Sequence, residues 1–248
     1  MLKYEILNLI GINDKNVEER LDHFLECISF SNDIEDVLDW LQNIKDNLPA
    51  KVTEINLNEV NDGWNHNEET GNLEHKTGGF FKVVGVRTET SIRESGNGWN
   101  QPMVDQGTEA SIVGLLKYKY KRDNKTSVSA VPLYLVEAKF EPGNYDRVLI
   151  SPTLQVTYDN LNTLHSGRKP LFSEYFHGEN LKEVKFEHWY PEDGGRFYKK
   201  RVKNMLVETD DYFDVPDNFK WLTMYQLKEL LKLDNIVNPH LRSIISYL

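Results

Sequence analysis

The residues best suited to chemistry lie between positions 137 and 157. Glu137-Ala138-Lys139-Phe140-Glu141-Pro142-Gly143-Asn144 is answered there by Ser151-Pro152-Thr153-Leu154-Gln155-Val156-Thr157. Carboxylates beside an ammonium can remove a proton and steady the anion left behind. Amide and hydroxyl side chains at alternate strand positions can hold the hydroxyls of a polar ligand. Parity places Tyr134, Val136, Ala138 and Phe140 on one strand face. Leu133 and Leu135 begin the other face, which turns polar at Glu137 and Lys139. Pro142 and Gly143 hold the central positions that a type II turn favours. If the two runs pair as a hairpin, Glu137, Lys139, Thr153, Gln155 and Thr157 share one face. The competing reading is a solvated sheet surface with a Lys139–Glu salt bridge on it.

Two further segments carry binding chemistry. Trp99-Asn100-Gln101-Pro102 follows a glycine-rich loop, where Trp99 and Gln101 can stack on and hydrogen-bond a flat ring, or plug the core edge. Arg196-Phe197-Tyr198-Lys199-Lys200-Arg201-Val202-Lys203-Asn204 is the dense basic run, read as a strand with Arg196, Tyr198, Lys200 and Asn204 on one face. Guanidinium and ammonium donors suit the oxygens of a diphosphate. Lysines on an edge strand can also serve only to discourage aggregation. Other chemistries find no pattern. There is no P-loop, dinucleotide fingerprint, His-Glu-x-x-His pair or Gly-x-Ser-x-Gly, and the seven histidines are scattered. No metal site is expected, and the single cysteine, Cys27, reads as a core residue.

The elements that must position these groups change period along the chain. Residues 15–28 carry Val17, Leu21, Phe24, Leu25 and Ile28 at helical spacing, and residues 32–48 repeat the pattern until Pro49. β-rich runs separated by turn residues then cover 80–86, 112–120, 131–140, 147–150, 153–158, 184–190 and 196–208. Helical patterns return over 223–233, with Thr223 as N-cap, and over 239–248, with Pro239 at the first position. This order predicts an α+β fold: a mixed, largely antiparallel sheet flanked by helices, with an N-terminal helical pair. The expected organisation is an N-terminal helical element over 1–50 and a module over 51–248, forming one compact domain. A net charge of −10 and a sequence pI near 5.2 argue against nucleic acid or an anionic membrane as partner. Without a basic leader or a membrane-length apolar run, a cytoplasmic location is expected.

Taken in order, the motifs resemble the sugar-nucleotide 2,3-dehydratases of deoxysugar biosynthesis. The resemblance runs through Gly63-Trp64, Thr70-Gly71, His75, Gly78, Phe80-Phe81, Gly85-Val86-Arg87, Trp99-x-Gln101-Pro102 and Asp105-Gln106. It continues through Ala138-Lys139-x-Glu141-Pro142-Gly143-Asn144, Ser151-Pro152-Thr153-x-Gln155-x-Thr157 and Asn160. It closes with Gly195-Arg196-Phe197-Tyr198, Arg201, Asn204-Met205, Phe219-x-Trp221-Leu222-Thr223 and Asp234-Asn235-x-Val237-Asn238. Two departures stand out: Glu137 occupies a position where the family commonly has Gln, and Asp159-Asn160-Leu161 replaces its usual Ser-Asn-Tyr.

The resemblance implies a Nudix-like fold without the Nudix metal box, and elimination of water across C2–C3 of a dTDP-4-keto-6-deoxyhexose. No cofactor or metal is implied. Glu141 or Glu137 would be the base, Lys139 the enolate stabiliser or acid, and Tyr198 an alternative acid. Gln101, Asn144, Thr153, Gln155, Thr157 and Asn160 would hold the sugar and phosphates. Arg87, Arg196 and Arg201 would neutralise the diphosphate, with Trp99 or Trp221 stacking on the base. Family members usually carry this module twice in tandem, so a single copy implies a homodimer. The alternatives are a sugar-nucleotide isomerase or epimerase on the same scaffold, and a non-catalytic sugar-nucleotide-binding module.

Overall fold

The computed structural model describes residues 33–91, 96–119, 131–161, 169–178 and 181–248, together with residues 9 and 21. Apart from residue 21, the expected helix over 15–28, with Cys27, lies outside the described residues, as does the expected loop over 121–126. The architecture is α+β, with two sheets and a few short helices.

Helix α1 (Glu35–Asp46) has Val37 and Leu41 buried one turn apart, so one stripe packs while the remainder stays wet. Its start is held by Asp33, whose Oδ1 accepts the Glu35 N–H at 2.9 Å. It contributes Val37 and Leu41 to the main core. It is also tied at its last turn by the Lys45–Asp146 ion pair at 3.4 Å.

Strands β1 (Trp64–His66), β2 (Leu73–His75), β3 (Lys82–Thr88) and β4 (Trp99–Asp105) form a small antiparallel sheet. Only β3 among them falls where alternation predicts a strand. β1 and β2 are three residues each, too short to show a period.

The large sheet contains β5 (Glu109–Tyr118), β6 (Leu133–Phe140), β7 (Val148–Pro152), β8 (Leu154–Thr157), β9 (Glu183–Pro191), β10 (Arg201–Thr209) and β11 (Phe219–Thr223). Its spine runs β11-β6-β5-β10-β9, and only the β5–β10 contact is parallel. β5 reads as a near-continuous apolar run because both of its faces are covered.

The sheet splits at its centre. β5 and β6 pair only over Leu116–Tyr118 against Leu133–Leu135. Beyond that point β6 pairs with β7, and β5 pairs with β8. Thr153 sits at the fork, 1% exposed, where its hydroxyl accepts the Leu116 N–H at 2.8 Å and donates to the Leu135 carbonyl. The hydroxyl thereby satisfies one backbone group on each diverging strand. The segment 236–238 enters the fork alongside β7: Ile150 N donates to Ile236 O at 2.8 Å, and Asn238 N donates to Ile150 O at 2.9 Å.

Helices α2 (Tyr158–Leu161), α3 (Met224–Leu230) and α4 (Pro239–Ile245) complete the fold. Thr223 caps α3, as the sequence predicts, in a reciprocal capping box with Gln226, and Asn238 caps α4 ahead of Pro239, which takes its predicted first position. One core lies between the large sheet and α1, α3 and α4. A second covers the other face, around Leu116, Leu135, Leu154, Phe176 and Met205.

In the second core Gly114 lies flat against the Phe176 ring, and a Cβ there would collide with ring carbons. Gly114→Ala is therefore expected to cost about 1–3 kcal/mol through overpacking. A urea titration would show this as a lower midpoint with an unchanged slope.

Three expectations need correction. The 131–140 and 153–158 runs do not pair with each other: β6 takes β7, and β8 takes β5. Glu137 and Lys139 consequently follow Leu135 towards the second core, while Gln155 and Thr157 lie opposite Val113 and Ser111 on the other face. The Glu141–Asn144 turn closes with Asn144 N on Glu141 O at 3.1 Å, but Gly143 keeps a negative φ, so it is not type II. The basic run is not one strand, because Lys199 adopts φ 54° and the strand begins only at Arg201.

Candidate active site

The groups that gather do so where the split sheet opens. Asn238 sets their orientation. Its Oδ1 accepts the Leu241 N–H at 2.8 Å as the helix cap, so its Nδ2 faces the fork. That amide donates to Ser151 Oγ at 2.9 Å and to Gln155 Oε1 at 2.8 Å. With its oxygen engaged, Gln155 turns Nε2 to Glu141 Oε1 at 2.8 Å. The result is a directed chain, from helix cap to amide to amide to carboxylate. Asn144 adds a longer bond to Glu141 Oε2 at 3.4 Å across the tight turn.

A second pair stands beside this one. Lys139 Nζ lies 3.2 Å from Glu137 Oε2, with both side chains about four-fifths covered. Asn218 approaches the other Glu137 oxygen at 3.4 Å. Burial pushes the Glu137 carboxyl above its ordinary range. Lys139 opposes that rise, and the Glu141 charge adds to it. The polar rows predicted for one sheet face therefore lie on opposite faces, and Gln155 is joined to Glu141 beyond the end of β6 instead.

The loop before β10 brings a third set, in which sequence reasoning missed His240 and Glu192. His240 Nε2, on the first turn of α4, lies 3.5 Å from Glu192 Oε1. Lys200 donates to Gln106 Oε1 at 2.8 Å. Burial lowers the Lys200 ammonium and the His240 imidazole below their ordinary values, and Glu192 opposes the fall in both. Glu141 and Lys200 both act on His240, Glu141 raising it and Lys200 lowering it. His240 and Glu192 carry no spacing signal, since 48 residues separate them. Only Pro239, which fixes where α4 starts, hints that residue 240 has a set direction.

The remaining predicted site residues spread out. Trp99 Nε1 donates to Gln101 Oε1 at 2.6 Å, and Gln101 Nε2 donates to Gly195 O at 2.8 Å. Both thus tie β4 to the loop carrying Tyr198, whose ring Lys199 covers at 5.0 Å. Arg87 is exposed and reaches Asn100 at 3.4 Å. Arg196 is exposed and paired with Asp193. Arg201 pairs with Glu109 and lies over Trp189 at 5.4 Å. The three arginines each have a protein partner and do not form one cluster. Trp221 stacks on Tyr212 at 5.6 Å in the aromatic rim of the second core, and its Nε1 donates to Phe213 O. Thr157 Oγ1 accepts the N–H of exposed Asn160 at 3.3 Å. Thr153 is committed to the fork.

The family model described as NDP-hexose 2,3-dehydratase matches residues 34–248. The chain belongs to that family. Three relatives carry the name dTDP-4-dehydro-6-deoxy-alpha-D-glucopyranose 2,3-dehydratase. The protein of Saccharopolyspora spinosa is 36% identical over 74% of this chain and 36% of its own length. That of Amycolatopsis orientalis is 34% identical over 86% of this chain and 44% of its own. That of Streptomyces violaceoruber is 30% identical over 79% and 42% respectively. The chain spans less than half the length of these relatives. Among the described residues of this 2,3-dehydratase family member, no helix is long and apolar enough to cross a membrane. Glu141 accepts hydrogen bonds from Gln155 and Asn144, and its charge acts on both Glu137 and His240.

Proposed function

We propose that this protein eliminates water across C2–C3 of a 4-keto-6-deoxyhexose carried on a nucleoside diphosphate, with thymidine as the base named in its relatives. The observation that carries the reading is Glu141, held by Gln155 and Asn144 just past the end of the strand that carries the Lys139–Glu137 pair. The C4 ketone acidifies the C3 hydrogen because the carbanion is an enolate. Glu141 takes that proton, with Glu137 the alternative base, and Lys139 stabilises the charge developing on O4. Expulsion of the C2 hydroxyl leaves an enol that relaxes to the 3,4-diketo sugar. The sequence is redox-neutral and consists of proton transfers, so it calls for no electron carrier. Tyr198, Trp99 and Gln101, joined through the 195–198 loop, support a wall for the sugar nucleotide. Arg87, Arg196 and Arg201 remain its diphosphate candidates once they release their present partners, with Trp221 the alternative stacking ring.

The forked mixed sheet, with α1, α3 and α4 packed on one face, supports a Nudix-like module over 51–248. A homodimer would supply the two copies of the module that the resemblance to tandem proteins implies. The proton chemistry and the acidic charge suit a cytoplasmic biosynthetic enzyme. Incubation with the dTDP-4-keto-6-deoxyglucose is expected to give a product lighter by one water in the mass spectrum. Unchanged mass, with or without a new isomer, would overturn the reading.

A further inference from the structure

The dehydration needs a second proton-transfer group, and His240 is a partly buried titratable residue with no part in the steps above. Four proton movements must balance. One leaves C3, one joins the departing C2 oxygen, one leaves the C3 enol oxygen and one joins C2. Glu141 can carry the first and the last. A carboxyl that has just accepted the C3 proton and must keep it for C2 cannot also protonate the leaving hydroxyl.

Resting on the dehydratase reading, we propose that His240 is the general acid for the C2 hydroxyl. Its imidazole Nε2 lies 3.5 Å from Glu192 Oε1, and the charges of Glu192 and Glu141 both favour its protonated form against burial. Lys200, whose charge opposes the protonated form, donates to Gln106. The histidine and Glu141 thus form an acid–base pair at the mouth of the fork. In the cycle, the Glu141 carboxylate takes the C3 proton, and the C3–H electrons pass to O4. The enolate collapses to the C2=C3 enol as the C2–O bond breaks, and the imidazolium proton converts the leaving hydroxide to water. The neutral imidazole then accepts the O3 proton, and Glu141 returns its proton to C2. Both groups end as they began.

The test separates C3 deprotonation from water loss. The protein, His240→Gln and Glu141→Gln are incubated with the 4-keto sugar nucleotide in D2O. NMR follows C3 deuteration, and mass follows dehydration. His240→Gln is expected to lose dehydration by about 10²-fold or more while keeping C3 exchange, and exchange also shows that the site is folded. Dehydration retained within threefold, or exchange lost together with it, overturns the proposal. A wild-type protein that neither exchanges nor dehydrates overturns the dehydratase reading itself, and this proposal with it. The pH profile gives an independent reading. Dehydration requires the imidazolium, so it should fall as pH rises through a value that burial sets below that of an ordinary imidazole. Glu192→Gln removes a carboxylate that favours the charged form and should move that limb to still lower pH. An unmoved limb overturns the assignment.

Discussion

Glu141→Gln is expected to reduce dehydration by about 10³-fold, within the range that positioned general bases contribute. The same variant should lose C3 deuterium exchange, because the group that breaks the C–H bond is gone. The substitution is nearly isosteric. The introduced side-chain amide can still accept the Gln155 N–H through its oxygen, while its NH2 group faces the Asn144 amide and loses that longer bond. The stability cost should therefore be that of one partly exposed hydrogen bond, about 0.5–1.5 kcal/mol. KM should change little, since the carboxylate acts on the C3 proton only as the bond breaks. Exchange persisting at the wild-type rate in Glu141→Gln would move the base to Glu137.

The parts of this site that could be read in advance are those fixed by local rules. Thr223 and Pro239 announce their helix starts because N-cap and first-turn preferences are short-range. The Glu137, Lys139 and Glu141 cluster is visible because charges interrupt an apolar strand. What parity could not supply is partner choice. A strand's own alternation says which residues share its face, but not that β5 and β6 diverge and that β7 and β8 fill the gap separately. Thr153 looks like a ligand donor in sequence and becomes the residue that satisfies the fork's backbone. The Arg196–Asn204 run reads as one strand until Lys199 turns left-handed, a backbone state no periodicity reports. His240 and Glu192 become neighbours only through the packing of α4 against the loop before β10. Long-range pairing of this kind leaves no trace in spacing.

Lys139→Ala is the other substitution expected to have a large effect, and it separates a catalytic ammonium from a structural ion pair. Loss of one preorganised donor to a developing oxyanion typically costs about 10²–10³-fold. Because Lys139 would act on the enolate, C3 exchange and dehydration should fall together, in contrast to the split expected for His240→Gln. Stability should respond in a pH-dependent way. Burial already raises the Glu137 carboxyl above its unfolded value, and Lys139 is the main influence opposing that rise. Removing the lysine raises the folded value further. A group whose folded pKa is raised contributes stability below its unfolded pKa and loses that contribution as pH climbs through the folded one. The variant should thus match the wild type in strongly acidic solution and fall progressively behind as pH rises from about 4.5 towards neutrality. The deficit should then level off at about 1–3 kcal/mol, the cost of leaving a half-buried carboxylate without its charged partner. Urea midpoints taken across that range would show it. A deficit of this form with near-normal turnover would make the pair structural and remove Lys139 from the chemistry; loss of turnover at a pH where the variant is fully folded would place its ammonium at O4.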